Sequence, residues 1–142
     1  MKINVCVADE SHAVYAQQIC DLVYVSAQER GTGIAKRTPE YIAQKMKVGK
    51  AVIALTEEGE LAGFAYVETW SHTLFVANSG LIVAHKFRKT GLAKRIKQEV
   101  FNLSRRKYPD AKIFSITTGA AVMKINSDMG FRPVPFSELT DD

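Results

Sequence analysis

Two neighbouring stretches of the sequence have the residue types and spacing of an anion-binding site. The first is an apolar, partly β-branched run that predicts a strand: Leu81, Ile82 and Val83. The second is a short cationic turn that leads into apolar residues at helical spacing: Arg88, Lys89, Thr90 and Gly91. A glycine-bearing turn at a helix N-terminus presents unpaired backbone N–H groups, and the helix dipole favours negative charge there. The sequence therefore predicts an anion-binding turn between a strand and a helix.

Two other nucleotide-binding motifs do not match. A Walker loop needs Gly-Lys-Ser/Thr, whereas residues 89–91 read Lys-Thr-Gly. The glycine pair Gly31 and Gly33 has Lys36 where a Rossmann turn needs its third glycine, and no predicted strand precedes it.

The spacing of Arg88, Gly91 and Ala93 resembles the Q/R-x-x-G-x-G/A signature of the GNAT superfamily of N-acyltransferases, in which this turn holds the pyrophosphate of acyl-coenzyme A (acyl-CoA). Downstream, residues 126–131 (NSDMGF) are similar to the family's closing helix and Gly-Phe element. The order of predicted elements matches over nearly the whole chain. The resemblance implies a mixed α/β (α+β) fold with a central mixed, mostly antiparallel sheet and about four flanking helices, and an acyl-CoA-dependent N-acyltransferase activity.

The composition is that of a soluble globular protein with a single domain over residues 1–142. Apolar residues make up 46% of the sequence and charged residues 24%. A chain of 142 residues is long enough for one core but not for two. No apolar run approaches the roughly 20 residues that cross a membrane, and the N-terminus lacks a secretory apolar segment. We therefore expect a cytoplasmic protein without a membrane span.

The cysteines and histidines form no recognisable ligand pattern. Cys6 and Cys20 have neither metal nor redox spacing, so we expect both to be reduced, buried thiols. His12, His72 and His85 are scattered, with no cysteine or carboxylate cluster beside them. No metal site is expected on this pattern.

Hydrophobic periodicity predicts five strands and four helices. The strands are expected at 3–8, 51–55, 61–69, about 74–83 and 112–117. The helices are expected from Asp9 or Ser11 to about residue 30, from Thr38 onward, from Leu92 onward, and over 120–129. The polar triplet Asn78-Ser79-Gly80 interrupts the fourth strand and predicts a bulge there.

The end of the sequence departs from the family pattern. GNAT domains usually finish with a further strand after the Gly-Phe element, but here Pro133 and Pro135 follow, and proline is poor in a central strand. Three alternatives remain open. The last strand is missing, it lies beyond this sequence, or a partner subunit of a homodimer supplies it.

The resemblance assigns the acyl-CoA site. Backbone groups of the strand bind the pantetheine arm and polarise the thioester carbonyl, and they belong to Leu81, Ile82 and Val83. The turn and the start of the helix hold the pyrophosphate through Arg88, Lys89, Thr90, Gly91, Leu92, Ala93 and Lys94. The alternative is an ordinary strand–turn–helix connection without a ligand. The donor is acetyl-CoA or succinyl-CoA.

Three residues are candidates for the proton transfers. Glu68, the one carboxylate in the central strands, is a candidate base, and the alternative is a solvated acid at a strand end. Ser79, at the predicted bulge, is a candidate for holding a water molecule that relays the proton. Asn126 takes the position where many family members carry a tyrosine that protonates the departing thiolate. Asparagine is not an acid, so it is expected to hydrogen-bond the pantetheine or the sulfur.

The acceptor is expected to be a small acidic amine. The loop between the first two helices contains three cations and no acid, and arginine binds carboxylates through two hydrogen bonds: Arg30, Lys36 and Arg37. The segments RGTGIAKR-TPEYI, NSGLIV and TTGAAVMKIN resemble the short single-domain enzymes that acylate L-glutamate in arginine biosynthesis. That resemblance adds Thr118 to the carboxylate-binding residues, and Lys124 to the residues for a succinyl donor. The alternative for the loop is a plain solvated segment.

The basic residues from 85 to 107 leave two other functions open. This stretch has nine Lys or Arg residues against the single acid Glu99, a pattern that attracts polyanions such as coenzyme A or nucleic acid. Aromatic residues that would stack on bases are not interleaved with the cations, which disfavours nucleic acid. The alternatives to a small acceptor are therefore acylation of a protein amine and a non-catalytic module that binds coenzyme A or nucleic acid.

Overall fold

A computed structural model describes residues 2–30, 38–70 and 75–115, with side chains described throughout except at 26–30, 70, 80, 114 and 115. The predicted helix at 120–129, the Gly-Phe element and any strand after it lie outside the described residues.

The described residues form a five-stranded sheet in the order β1-β2-β3-β4-β5. Neighbouring strands are antiparallel except β4 and β5, which are parallel. The predicted mixed, mostly antiparallel sheet is therefore confirmed. The strands are β1 Ile3–Val7, β2 Ala51–Thr56, β3 Leu61–Trp70, β4 Phe75–Val83 and β5 Lys112–Ser115.

Three α-helices and two 3₁₀ helices accompany the sheet in the described part of the chain. The predicted N-caps are present: the Asp9 carboxylate accepts a hydrogen bond from the Ser11 amide (2.9 Å), and the Thr38 hydroxyl accepts one from the Tyr41 amide (3.1 Å). None of the described helices combines the length and apolar character needed to cross a bilayer. The helices are α1 Ala16–Arg30, α2 Pro39–Lys47 and α3 Leu92–Lys107, and the 3₁₀ helices are Glu10–Tyr15 and His85–Phe87.

The sheet separates two hydrophobic clusters because alternate residues of a strand point to opposite faces. On one face, the buried residues Ala65 and Val67 of β3 pack in the cluster that includes Ile96 of α3. On the other face, Phe64 and Tyr66 belong to the cluster formed with α1 and α2. Helix α3 thus covers one side of the sheet, and α1 and α2 cover the other.

The prediction that both cysteines are buried is wrong for Cys6, which is exposed, whereas Cys20 is half-buried. Strand β1 is an edge of the described sheet, and its residues Ile3, Val5 and Val7 pack toward the α3 cluster. Cys6 alternates with them and points away from that cluster. Although the side chain is exposed, neighbouring protein atoms displace some of the water around the thiol, and this desolvation, together with the carboxylates of Asp9 and Glu99, raises the pKa of Cys6.

Candidate acyl-CoA and acceptor site

Strand β4 contains the predicted bulge. Its pairing with β3 joins Phe64 to Ile82 but Tyr66 to Ser79, so β4 advances by three residues while β3 advances by two. The extra residue lies at 80–81, immediately after Ser79. A bulge bends its strand and interrupts the regular ladder of backbone hydrogen bonds.

The other edge of β4 pairs with β5, whose last described residue is Ser115. The parallel pairing with β5 runs from Phe75, opposite Lys112, to Asn78, opposite Ser115. The predicted pantetheine-binding residues follow at the end of β4. Leu81 and Val83 pack toward α3, and Ile82 packs toward α1 and α2.

The turn after β4 is fixed by local hydrogen bonds. The Thr90 hydroxyl donates to the Phe87 carbonyl (2.6 Å), and the Arg88 Nε donates to the Val83 carbonyl (3.4 Å). Lys89 and Gly91 both have left-handed backbones, with φ of 63° and 82°. Glycine adopts this conformation without steric cost, which explains the glycine at the N-cap of α3.

The N-terminus of α3 is open. Its first intrahelical hydrogen bond joins the Arg95 amide to the Gly91 carbonyl (3.2 Å). The amides of Leu92, Ala93 and Lys94 therefore have no hydrogen-bond acceptor within the helix. Gly91 provides no side-chain cap. A Cβ atom added to Gly91 would have no described neighbour within 4 Å. The space beside Gly91 is therefore free of other described residues, and the three amides have no acceptor within the helix.

Cations surround this open turn. Lys89 and Lys94 are exposed beside it. Two neighbouring cations have protein partners: Lys86 forms an ion pair with Glu60 (2.6 Å), and Arg95 donates to the Ile3 carbonyl (2.8 Å). The helix dipole and the exposed cations both favour a bound anion at this place.

Helix α3 also contains a lysine that is almost completely buried. Lys97 is 1% exposed, and burial lowers the pKa of its ammonium to about 7. Two turns later along the helix, the Ser104 hydroxyl donates to Oδ1 of the buried Asn78 (2.7 Å). The interface between α3 and β4 thus contains polar groups as well as apolar ones.

Ser79 and Glu68 lie on the sheet face opposite α3. Ser79 is opposite Tyr66 in the β3–β4 pairing, and Glu68 is opposite Ala77. Since Tyr66 points toward α1 and α2, Ser79 and Glu68 do so as well. The two candidate residues for proton removal are therefore brought to one face, on the side where α2 lies.

Two residues of α2 contact Glu68. The Tyr41 hydroxyl donates a hydrogen bond to Glu68 Oε1, and the Lys45 ammonium forms an ion pair with the same oxygen. Lys45 also donates to the Val67 carbonyl (2.9 Å). The Tyr41 ring meets the Tyr66 ring edge-to-face, with centroids 5.8 Å apart. We call Tyr41, Lys45, Tyr66 and Glu68 the tyrosine–lysine cluster.

Comparison with solved structures identifies the arrangement. An acetyltransferase of the GNAT family from Staphylococcus aureus is 15% identical and superposes on 98% of this chain and 90% of its own, with a TM-score of 0.77. N-acetylglutamate synthase from Neisseria gonorrhoeae, solved with coenzyme A and N-acetyl-glutamate, is 18% identical with a TM-score of 0.76. The chain has the GNAT fold. The match covers 99% of this chain but 31% of the Neisseria enzyme, so the chain spans about a third of that protein.

A third structure with the GNAT fold is diaminobutyrate acetyltransferase from Paenibacillus lautus, solved with L-2,4-diaminobutyric acid and coenzyme A. It is 14% identical, and the match covers 91% of this chain and 74% of the enzyme, with a TM-score of 0.67. No protein-family model and no curated protein matches the sequence.

Several predicted site residues lie outside the described part of this GNAT fold. Arg30 ends α1, but its side chain is not described. Five further predicted site residues lie wholly outside the described ranges: Lys36, Arg37, Thr118, Lys124 and Asn126. Within the described ranges, no three His, Cys, Asp or Glu side chains are placed to bind a metal ion.

The sequence motifs did not predict a functional role for Tyr41, Lys45 or Tyr66. A weak signal was present, since Tyr41 and Lys45 are four residues apart and each directly precedes a buried residue of α2, Ile42 or Met46. Strand alternation likewise places Tyr66 and Glu68 on one face. Their meeting depends on how α2 lies across the sheet, which neither pattern determines.

Proposed function

We propose that the protein is an acyl-CoA-dependent N-acyltransferase that transfers an acetyl or succinyl group to the amine of a small acidic acceptor, L-glutamate. The observation that carries this proposal is the open turn between β4 and α3. It combines the left-handed Gly91, three amides that precede the first helical bond, and exposed cations. Coenzyme A bears a pyrophosphate and a 3′-phosphate, and such a turn favours anions of this kind.

The proposal places the donor along β4 and α3. The turn and first helical residues, from Arg88 to Lys94, would hold the pyrophosphate. The end of β4, at Leu81, Ile82 and Val83, would receive the pantetheine arm, and the bulge would present backbone N–H groups to the thioester oxygen. Hydrogen bonds directed at an oxygen that gains negative charge stabilise the transition state of acyl transfer.

On the other face of the sheet, the acceptor amine would lose a proton before it attacks the thioester carbon. Ser79 and Glu68 are the candidate residues for this proton transfer, Ser79 through a bound water molecule. The new C–N bond forms as the C–S bond breaks, and the coenzyme leaves as a thiolate. Asn126 would hydrogen-bond the pantetheine or the sulfur.

Two observations support an acidic acceptor: the cations of the loop between α1 and α2, and the fold shared with an enzyme solved with N-acetyl-glutamate. We expect Arg30, Lys36, Arg37 and Thr118 to bind the two carboxylates of L-glutamate, and Lys124 to bind the distal carboxylate of a succinyl donor. The Neisseria enzyme of the same fold was solved with N-acetyl-glutamate. An enzyme with this specificity would supply an N-acylated amino acid to arginine biosynthesis in the cytoplasm.

A free-thiol release assay tests the proposal. The protein is incubated with each common amino acid, once with acetyl-CoA and once with succinyl-CoA, and the released coenzyme A is measured. L-Glutamate should give the fastest release with one donor. Release with peptides but not with free amino acids would instead indicate acylation of protein amines. Absence of release with every amine would refute the enzymatic proposal.

A further inference from the structure

The carboxylate of Glu68 is held through only one of its two oxygens. Oε1 accepts the Tyr41 hydroxyl and pairs with the Lys45 ammonium. Within the described part of the chain, no donor contacts Oε2. The Glu68 side chain is 37% exposed and that of Lys45 is 14% exposed. One oxygen thus has two described protein partners, whereas the other has none among the described residues of this partly exposed side chain.

Lys45 is itself held firmly in place. Besides Glu68, its ammonium donates to the Val67 carbonyl (2.9 Å) and lies 5.5 Å and 5.7 Å from the ring centroids of Tyr41 and Tyr66. These contacts connect the last turn of α2 to the end of β3. The Glu68 carboxylate therefore has a defined orientation, which an unsupported glutamate at a strand end would lack.

The strand register places Glu68 near the bulge, on the α2 side of the sheet. Glu68 is opposite Ala77, and Ser79 is the next β4 residue on the same face. Diagonal neighbours of this kind lie roughly 7 Å apart. The proposed thioester position at residues 80–81 follows Ser79 directly. An amine bound at Oε2 would thus be close to the carbon that it must attack.

We propose that Glu68 binds the ammonium group of the acceptor through Oε2, and that Tyr41 and Lys45 are positioning residues that orient the carboxylate for this contact. The inference rests on the proposed N-acyltransferase function and assigns its amine-binding group. Because Lys45 balances the charge of Glu68, the cluster offers a directed, charge-assisted hydrogen bond without net negative charge. It therefore suits an acceptor with one ammonium and its own carboxylates better than a polyamine.

The test separates loss of the ammonium contact from general damage. Glu68→Gln keeps the size of the side chain and removes its charge. It should raise the KM for L-glutamate at least about tenfold, the effect of losing a hydrogen bond between charged groups, and leave the KM for acyl-CoA unchanged. Glutarate has the two carboxylates of glutamate but no amine, so it should inhibit the wild type and the variant with equal Ki. Glu57→Gln, in the exposed β2–β3 turn, is the matched control and should change neither constant.

A second variant tests the positioning role. Tyr41→Phe removes only the hydroxyl and should raise the KM for L-glutamate several-fold in the wild-type background. The same change should have no further effect when Glu68 is already glutamine, because the carboxylate to be oriented is gone. Additive effects of the two changes would contradict the positioning role.

The outcomes distinguish this inference from the proposed function. If the wild type acylates no amine, the proposed function fails, and this assignment fails with it. If the wild type acylates L-glutamate but Glu68→Gln leaves its KM unchanged, only the ammonium assignment is overturned. The same conclusion follows if the Ki of glutarate rises as much as the KM of glutamate. If another amine is acylated instead, that amine and its deaminated analogue are measured in the same way.

Discussion

Gly91 is the residue at which charge and conformation can be tested separately. Its φ of 82° disfavours most side chains, but asparagine and aspartate tolerate the left-handed region better than other residues. Apart from Gly91 and its two chain neighbours, no described residue has an atom within 4 Å of a Cβ added at this position. The pair Gly91→Asn and Gly91→Asp therefore introduces side chains of almost equal size that differ in charge.

We expect Gly91→Asp to bind coenzyme A at least about tenfold more weakly than Gly91→Asn, because a carboxylate would lie beside the bound phosphates. Isothermal titration calorimetry measures both affinities. The aspartate variant should be no less stable than the asparagine variant, since an acid at a helix N-terminus interacts favourably with the dipole. Equal affinities of the two variants would argue against phosphate binding at this turn.

Lys97 leads to a prediction about pH. Its folded pKa of about 7 lies below the ordinary lysine value of 10.5, so unfolding takes up a proton between these pH values. The free energy of unfolding should therefore rise with pH across this window. Lys97→Met should remove this pH dependence, so the stability of the wild type relative to the variant should rise from pH 7 to pH 10.

Urea unfolding at several pH values measures this effect. Lys94→Met is the matched control, because Lys94 is exposed on the same helix and should leave the pH dependence unchanged. A Lys97→Met variant whose stability parallels that of the wild type from pH 7 to 10 would refute the depressed pKa.

At the scale of elements, the close approach of α3 to β3 depends on Gly63. A Cβ added to Gly63 would lie 2.9 Å from the Ile82 carbonyl oxygen and would overlap Ile96 Cδ1. Gly63 also pairs with Val83, the last residue of β4 before the proposed phosphate-binding turn. Any side chain here must displace the helix or the strand that positions the turn.

We expect Gly63→Ala to lower the free energy of unfolding by about 1–3 kcal/mol, as overpacking of a core does. Ile96→Val removes the Cδ1 atom that overlaps the new methyl group. The double variant should therefore be more stable than the sum of the two single effects predicts, which a double-mutant cycle in urea measures. Strict additivity would mean that the Ile82 backbone, not Ile96, limits the space.

The individual elements follow from local patterns in the sequence, whereas the contacts between them do not. The start of α2 was predicted from Thr38 and Pro39, and the bulge from the polar triplet at 78–80, because capping and chain interruption act over a few residues. The exposure of Cys6 was predicted wrongly because it depends on which strand forms an edge. The contact of Lys45 with Glu68 was not predicted because it joins a helix to a strand 23 residues later.

At the scale of the whole molecule, the formal net charge of +4 is less informative than the positions of the cations along α3. Cations lie at both ends of this 16-residue helix, which is about 24 Å long. At its C-terminal end, Arg105 donates to the Ala111 carbonyl (3.0 Å) and Lys107 to the Val48 carbonyl (3.5 Å). These contacts give the distal cations a structural role that does not require a ligand.

The distance between the two ends predicts that equal charge changes will have unequal effects. Lys89→Gln and Arg106→Gln each remove one positive charge from an exposed residue, the first at the turn and the second near the far end of α3. The Debye length is about 8 Å at physiological ionic strength, so Arg106 is screened from a ligand at the turn. Lys89→Gln should weaken coenzyme A binding about threefold to fivefold at low salt, with a smaller effect at high salt, whereas Arg106→Gln should change it little. Calorimetric titrations at two salt concentrations measure both.

Equal weakening by the two variants would indicate a diffuse electrostatic attraction, such as a nucleic-acid-binding surface produces. Competition by a short DNA duplex would then decide between coenzyme A and nucleic acid as the ligand.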